Sequence, residues 1–263
     1  IGSMYSNVAG SGWGEMYASR KYLELVRKYP EDVRYSLIQP VVVDQDELHA
    51  YYVNNEYKYE SVIVSQNGDD YTYVVNGVSH NLIKRSNGAG AFQYFITING
   101  QEKTVLIDKK VDNRNGYLKY YILKCSGQEG QGQLWSPVVS RLSEMYLIRA
   151  EVNAKTGNTQ AALNDINVIR TRAGIPTAGL WTTANLNGLT AFDVVMQERQ
   201  LELAWEGHRK FDVFRNGLTM ERQYPGTHLS GASPYYTISP TANEIVEYIP
   251  EQQIIVSKGV LVQ

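Results

Sequence analysis

Residues 141–175, RLSEMYLIRAEVNAKTGNTQAALNDINVIRTRAGI, carry two apolar rows of helical period separated by one glycine. Leu142, Tyr146 and Ala150 recur every four residues, with Leu147 and Ala154 beside them. Ala162, Ile166, Ile169 and Ala173 recur at four, three and four, close to the 3.6-residue turn. Gly157 stands where the first helix must stop, because glycine takes the left-handed conformation without steric cost. Lys155 suits the negative end of that helix dipole, and Asn158 or Thr159 can cap the second helix. Ala150, Ala154, Ala161 and Ala162 let the two helices approach closely. Two antiparallel helices are therefore expected here.

The layout of helix, glycine turn, early Ala-Ala and a following Pro176 matches a tetratricopeptide unit of about 34 residues. Such a unit cannot bury its apolar face alone. The rest of the chain, or sister repeats outside it, must cover that face.

The chain has 263 residues, 43% apolar and 20% charged, with net charge −2, so nothing points to nucleic acid. No apolar run approaches the roughly 18 residues that span a bilayer. The single Cys125 excludes an internal disulfide and is expected as a small buried hydrophobe rather than a nucleophile. Twenty Tyr and four Trp against five Phe is unusual. Either these rings face ligands with a polar edge, or they fill a Tyr-rich sheet.

Residues 1–14 suggest a Gly/Ser loop in which Trp13 either plugs a core or stands exposed between two glycines. Residues 15–29 suggest an amphipathic helix, ended by Pro30. From 34 to 124, β-rich runs, the first being VRYSLI, alternate with Asn-Gly and Asp-rich turns, which suggests hairpins or a small antiparallel sheet. The acidic clusters at Asp44-Gln45-Asp46-Glu47, Asp69-Asp70 and Asp112-Asn113 lack the spacing of a dedicated calcium loop, so solvated turns are expected. A further helix is expected over about 191–206, capped by Thr190 with Asp193 three residues on. Residues 216–263 suggest an irregular tail.

The densest charge lies in QERQLELAWEGHRKFDVFR, residues 197–215. Glu198, Glu202 and Glu206 stack on one helix face, interleaved with Trp205, Phe211 and Phe214, which favour burial. A carboxylate pair for glycoside hydrolysis, a metal site with His208, and a structural ion-pair network are the three readings. The arginines of this stretch and of the hairpin hold carboxylates ionised and favour the third, comprising Glu198, Arg199, Glu202, Glu206, Arg209, Asp212 and Arg215. No phosphate loop, nucleophile elbow or HExxH motif occurs.

Taken together, Arg141…Glu144-x-x-Leu147-x-x-Ala150-Glu151, Asn167-x-x-Arg170-x-Arg172-Ala173-Gly174, Glu198-Arg199…Glu202-Leu203…Glu206-Gly207-x-Arg209…Asp212…Arg215 and the late Ile249-Pro250-Glu251 resemble the C-terminal half of the SusD/RagB family. The resemblance implies outward-facing outer-membrane lipoproteins of the Bacteroidetes. They are non-catalytic and act as the lid of a SusC-like TonB-dependent transporter; from the residues, no cofactor and no metal ligands are expected. They capture oligosaccharides, or peptides in some members. A plain protein-interaction scaffold is the rival from another class.

The fold expected on that basis is mainly α, a tetratricopeptide-like scaffold with irregular loops and a small antiparallel β part. One domain over 1–263 is expected, with a variable part at 1–135, a helical scaffold at 136–215 and a tail at 216–263. The leader, lipid-bearing cysteine and earlier repeats are absent and the ending SKGVLVQ departs from the family, so a fragment is expected. Because a sugar's C–H face stacks on a flat ring, Trp13, Tyr17, Tyr51, Tyr52 and Trp181 are the ligand candidates, each with core packing as its alternative.

Overall fold

A computed structural model of the chain describes residues 2–5, 14, 16–222, 225, 236–246 and 251–257. The elements of its first part are α1 (Gly2–Tyr5), α2 (Arg20–Val26), β1 (Ile38–Pro40), β2 (Val42–Val53), β3 (Tyr59–Asn67), β4 (Asp70–Val75), β5 (Val78–Asn81), β6 (Ile83–Ser86), β7 (Phe92–Ile98) and β8 (Gln101–Val111). Short strands β9 (Asn113–Arg114), β10 (Tyr117–Leu118) and β11 (Tyr120–Ile122) lead to the helices α3 (Leu142–Lys155), α4 (Thr159–Arg172) and α5 (Ala191–Glu202).

The expectation of a mainly helical fold is overturned. Strand makes up 30% and helix 33% of the structure, and seven strands form one antiparallel sheet in the order β5-β4-β3-β2-β8-β7-β6. The β part is large because the hairpins join into one meander rather than standing apart. Asn76-Gly77 and Asn99-Gly100 both turn with two consecutive positive φ values, the geometry whose twist matches that of the flanking strands.

This sheet curls until its ends meet. The edge strands β5 and β6 are joined through Leu82, whose N–H donates to Tyr71 O at 2.8 Å. Tyr94 Oη donates to Asp69 O at 2.6 Å, and the rings of Tyr71 and Tyr94 meet edge to face with centroids 5.1 Å apart. Side chains alternate between faces along a strand. Ala50, Tyr52, Val64, Tyr73, Leu82, Ile96 and Val105 accordingly fill the inner core. Tyr51 and Leu106 face outward and pack with Tyr22, Leu23 and Val26 of α2 and with Tyr120, Ile122 and Leu201.

The helix expected over 15–29 is shorter. Tyr17 bridges Tyr121 and Ala18 N–H donates to Tyr120 O at 2.9 Å, so these residues are held extended beside β11. Helix α2 starts only after Ser19, whose hydroxyl accepts from Tyr22 N–H. The run VRYSLI is not one strand. Asp32 caps a 3-10 turn over Val33–Leu37, and only then does β1 begin and pair with β11.

Helices α3 and α4 form the expected antiparallel pair, with Gly157 at φ +83° in their turn. Leu147, Ala150, Ala162, Leu163 and Ile166 are fully buried between them and against Val194 and Val195 of α5. Thr190 and Asp193 form a reciprocal capping box at the start of α5.

The chain divides into two compact units, one of residues 1–208 and 224–226, the other of 209–223 and 227–263. The second holds most of α6 (His208–Arg215), the strand pair β12 (Met220–Glu221) and β13 (Thr237–Ile238), and α7 (Glu251–Val256). Ile249 and Pro250 of the late family motif lie outside the described residues; Glu251 opens α7.

Candidate functional site

Helix α5 ends at Glu202 rather than near 206, and Trp205 follows at φ +63°, so Glu206 leaves the expected stack of Glu198 and Glu202; all three carboxylates meet cations drawn from distant parts of the first unit. Arg34 Nη1 lies 2.6 Å from Glu198 and 3.3 Å from Glu202, and Arg34 Nη2 lies 2.7 Å from Asp32. Arg170 pairs with Glu198, and Arg141 and Arg172 pair with Glu202. Glu206 is held by Arg141 at 2.8 Å and by Lys124. Burial opposes ionisation of Glu202, but Arg141, Arg172 and Arg34 outweigh it and hold its pKa down to about 2. Glu198 is depressed in the same way, by Arg34 and Arg170 against full burial. Each carboxylate is thus a fixed anion in a closed lattice, which locks α5 to α4 and to the 3-10 turn. Arg199 lies 3.9 Å from Glu151. In the second unit Arg215 pairs with Asp212 at 2.8 Å, and burial lowers the pKa of Arg209 against the opposing pull of Asp212.

His208 Nδ1 lies 3.7 Å from Glu144. Among the described residues no group of three or more His, Cys, Asp or Glu is placed to hold a metal ion. Cys125 is buried with Sγ 3.5 Å from Trp205 O, and burial pushes its thiol up to about 11. The acidic turns are engaged locally. Asp44 Oδ1 accepts from the N–H groups of Asp46 and Glu47, Lys84 faces Asp69 and Asp70, and Lys119 pairs with Asp112.

A cleft of about 480 Å³ opens where β7 leaves β8. Their pairing ends at Tyr94–Val105, while β8 continues along β2 as far as Val111. Tyr71, Phe92 and Tyr94 form one wall, the end of α2 brings Arg27 and Lys28, and residues 176–179 face them. Phe92 is 45% exposed, with Lys84 Nζ 4.3 Å above its ring. Tyr94 is fixed through Asp69, and its hydroxyl is pushed up to about 12, chiefly by burial. Arg27 is oriented by Asp108 at 3.2 Å and by Ile107 O at 3.0 Å. Lys28 sits 3.4 Å from Gln197 Oε1, and burial, reinforced by Arg170, lowers its pKa to about 8. Flat rings beside planar polar groups and cations suit a ligand with alternating apolar and hydroxylated faces.

The aromatics expected to bind ligand lie elsewhere. Trp13 is outside the described residues. Tyr51 and Tyr52 are buried on opposite faces of β2, at 5% and 7% exposure. Trp181 is 3% exposed under Gly88, with Asn167 bonding both its N–H and its carbonyl. Tyr17 is half-buried, edge to face with Tyr121 at 5.5 Å. None of the four described lines the cleft. Tyr71, Phe92 and Tyr94 sit in the sequence among strand residues. The one local signal was their place beside the Asp69-Asp70 turn and at the start of FQYFITI.

The chain spans less than half the length of the solved relatives it resembles. A SusD superfamily protein from Bacteroides thetaiotaomicron is 23% identical and matches 97% of this chain and 42% of its own, with a TM-score of 0.59, which shows a shared fold. One from Bacteroides vulgatus is 31% identical over 63% of this chain and 33% of its own, with a TM-score of 0.41. A SusD-like protein, P25, of Formosa agariphila is 32% identical over 84 residues, which is 32% of this chain and 16% of that protein. A sequence model of the SusD family matches residues 1–254, so the chain belongs to the SusD family.

Proposed function

We propose that this chain is part of a non-catalytic, cell-surface lipoprotein that captures oligosaccharides or polysaccharides and delivers them to a SusC-like TonB-dependent transporter of the outer membrane. The observation that carries the glycan reading is the cleft beside Tyr71, Phe92 and Tyr94, where ring faces and hydrogen-bonding side chains converge in a space of about 480 Å³. Family membership supports the wider role. Binding rather than hydrolysis is favoured because the stacked glutamates are paired, buried and held ionised, whereas a general acid needs a raised pKa and an open face. Among the described residues no helix is long and apolar enough to cross a membrane; attachment through a lipid is part of the proposal.

The test is affinity gel electrophoresis across soluble starch, arabinoxylan, galactomannan, pectic galactan, laminarin and chondroitin sulfate. Retardation by one polymer, weakened in Phe92→Ala, supports the reading and gives the substrate class. Equal mobility in all six removes it and directs the search to peptide or glycopeptide cargo.

A further inference from the structure

At the opposite end of the same sheet, a second groove of about 510 Å³ lies between the β2–β3 turn and the β7–β8 turn. Arg20, Asn54, Asn55, Tyr57, Gln101 and Lys103 line it. Tyr57 is the unusual residue. Its φ is +56°, a left-handed conformation that bulky side chains avoid and glycine accepts freely. Its side chain is 41% exposed, and no hydrogen bond or ring contact engages it among the described residues.

The loop is built to hold this conformation. Asn54 Oδ1 accepts from the N–H groups of Glu56 and Lys58, both at 2.9 Å. Asn54 N–H donates to Lys58 O at 2.9 Å, Tyr57 N–H donates to Asn54 O at 3.2 Å, and Asn54 Nδ2 donates to Glu60 at 2.8 Å. The surroundings therefore over-determine a strained backbone whose side chain stays 41% exposed. Such strain, where it is observed, clusters at binding sites. In the same groove, Lys103 Nζ is set by Val53 O and Asn55 Oδ1, and the amides of Asn55 and Gln101 offer donors and acceptors.

We propose that Tyr57 is the stacking platform of a second glycan-binding site, so that one polysaccharide chain engages the sheet at both ends. The inference rests on the glycan reading of the first cleft. The linings of the two sites adjoin at Thr104 and Val105 of β8, and the sheet they share extends roughly 30 Å along the nine residues of β3. A polymer spanning that distance gains avidity from two weak sites without any new contact.

The test uses the polymer that retards the purified protein in the six-polymer panel, together with a trisaccharide of the same polymer in isothermal titration. Two trisaccharides should bind the unaltered protein and one should bind Tyr57→Gly. Phe92→Ala should also bind one, while polymer affinity falls about tenfold or more in either variant. Tyr57→Gly should melt no lower than the unaltered protein, since glycine accepts the backbone angle. A single site unaffected by Tyr57→Gly overturns the inference and leaves the first cleft standing. A single site lost in Tyr57→Gly and kept in Phe92→Ala overturns the first cleft instead. A lowered melting temperature in Tyr57→Gly with two sites retained also overturns the inference, because the ring would then serve packing. Binding to none of the six polymers removes both sites.

Discussion

Arg34 Nη1 meets Glu198 Oε1 at 2.6 Å across 164 positions of sequence, and both side chains are at least 95% buried. The same guanidinium reaches Glu202 and Asp32. One arginine therefore serves three buried carboxylates, two of which also hold Arg141, Arg170 or Arg172. Removing one partner of such a lattice costs far more than the pair contributes net, because the charges left behind stay desolvated.

Arg34→Met should accordingly destabilise the first unit by about 3–5 kcal/mol. Urea unfolding followed by circular dichroism measures it. A loss below about 1 kcal/mol would show that Asp32, Glu198 and Glu202 find water or other cations once Arg34 is gone.

Acid should loosen the same lattice. Glu202 has a folded pKa of about 2, below its ordinary 4.5, so its contribution is fully present above about pH 4.5 and drains as pH falls toward 2. The size is of order 3 kcal/mol by linkage. Stability measured from pH 6 to pH 2 should fall, and Glu202→Gln should flatten that fall. An identical acid limb in the variant contradicts the assignment.

Gly88 packs where a side chain cannot. Its φ is +76°, and a Cβ would lie 2.9 Å from the Trp181 ring and 3.0 Å from Asn185 O. Gly88→Ala should cost about 2 kcal/mol, from the backbone angle and the clash together. A melting temperature unchanged in Gly88→Ala would mean that the 86–91 loop moves away from Trp181 at little cost.

Phe92 stands at the cleft mouth, 45% exposed. Phe92→Ala should weaken glycan binding about tenfold, the scale of one lost ring contact, with little change in melting temperature. Titration calorimetry beside thermal unfolding separates the two effects. Full affinity with a lowered melting temperature would reassign Phe92 to packing.

Local order was legible because its causes are local. The α3–α4 pair follows from the apolar period and Gly157. The β7–β8 hairpin follows from Asn99-Gly100, whose residues take positive φ in the turn, whereas YTYVVNGV, expected as one β-rich run from Tyr71, is broken at Asn76-Gly77 into β4 and β5. Pairing of Glu198 and Glu202 with Arg170 and Arg172 was legible in the sequence, although Phe211, expected to favour burial, is 67% exposed; their partner Arg34 was not, since nothing near residue 198 marks residue 34.

Tertiary structure alone decided the large sheet and the cleft. Alternation along β2 places Tyr51 and Tyr52 on opposite faces, but only closure of the sheet buries Tyr52 and only packing of α2 and β11 on the outer face buries Tyr51. The same closure brings Tyr71 to Tyr94, and the divergence of β7 from β8 exposes Phe92. Whether a ring is core or surface depends on which strands meet over it, a long-range outcome. Which residues can turn, cap or stack is carried by each short stretch of chain.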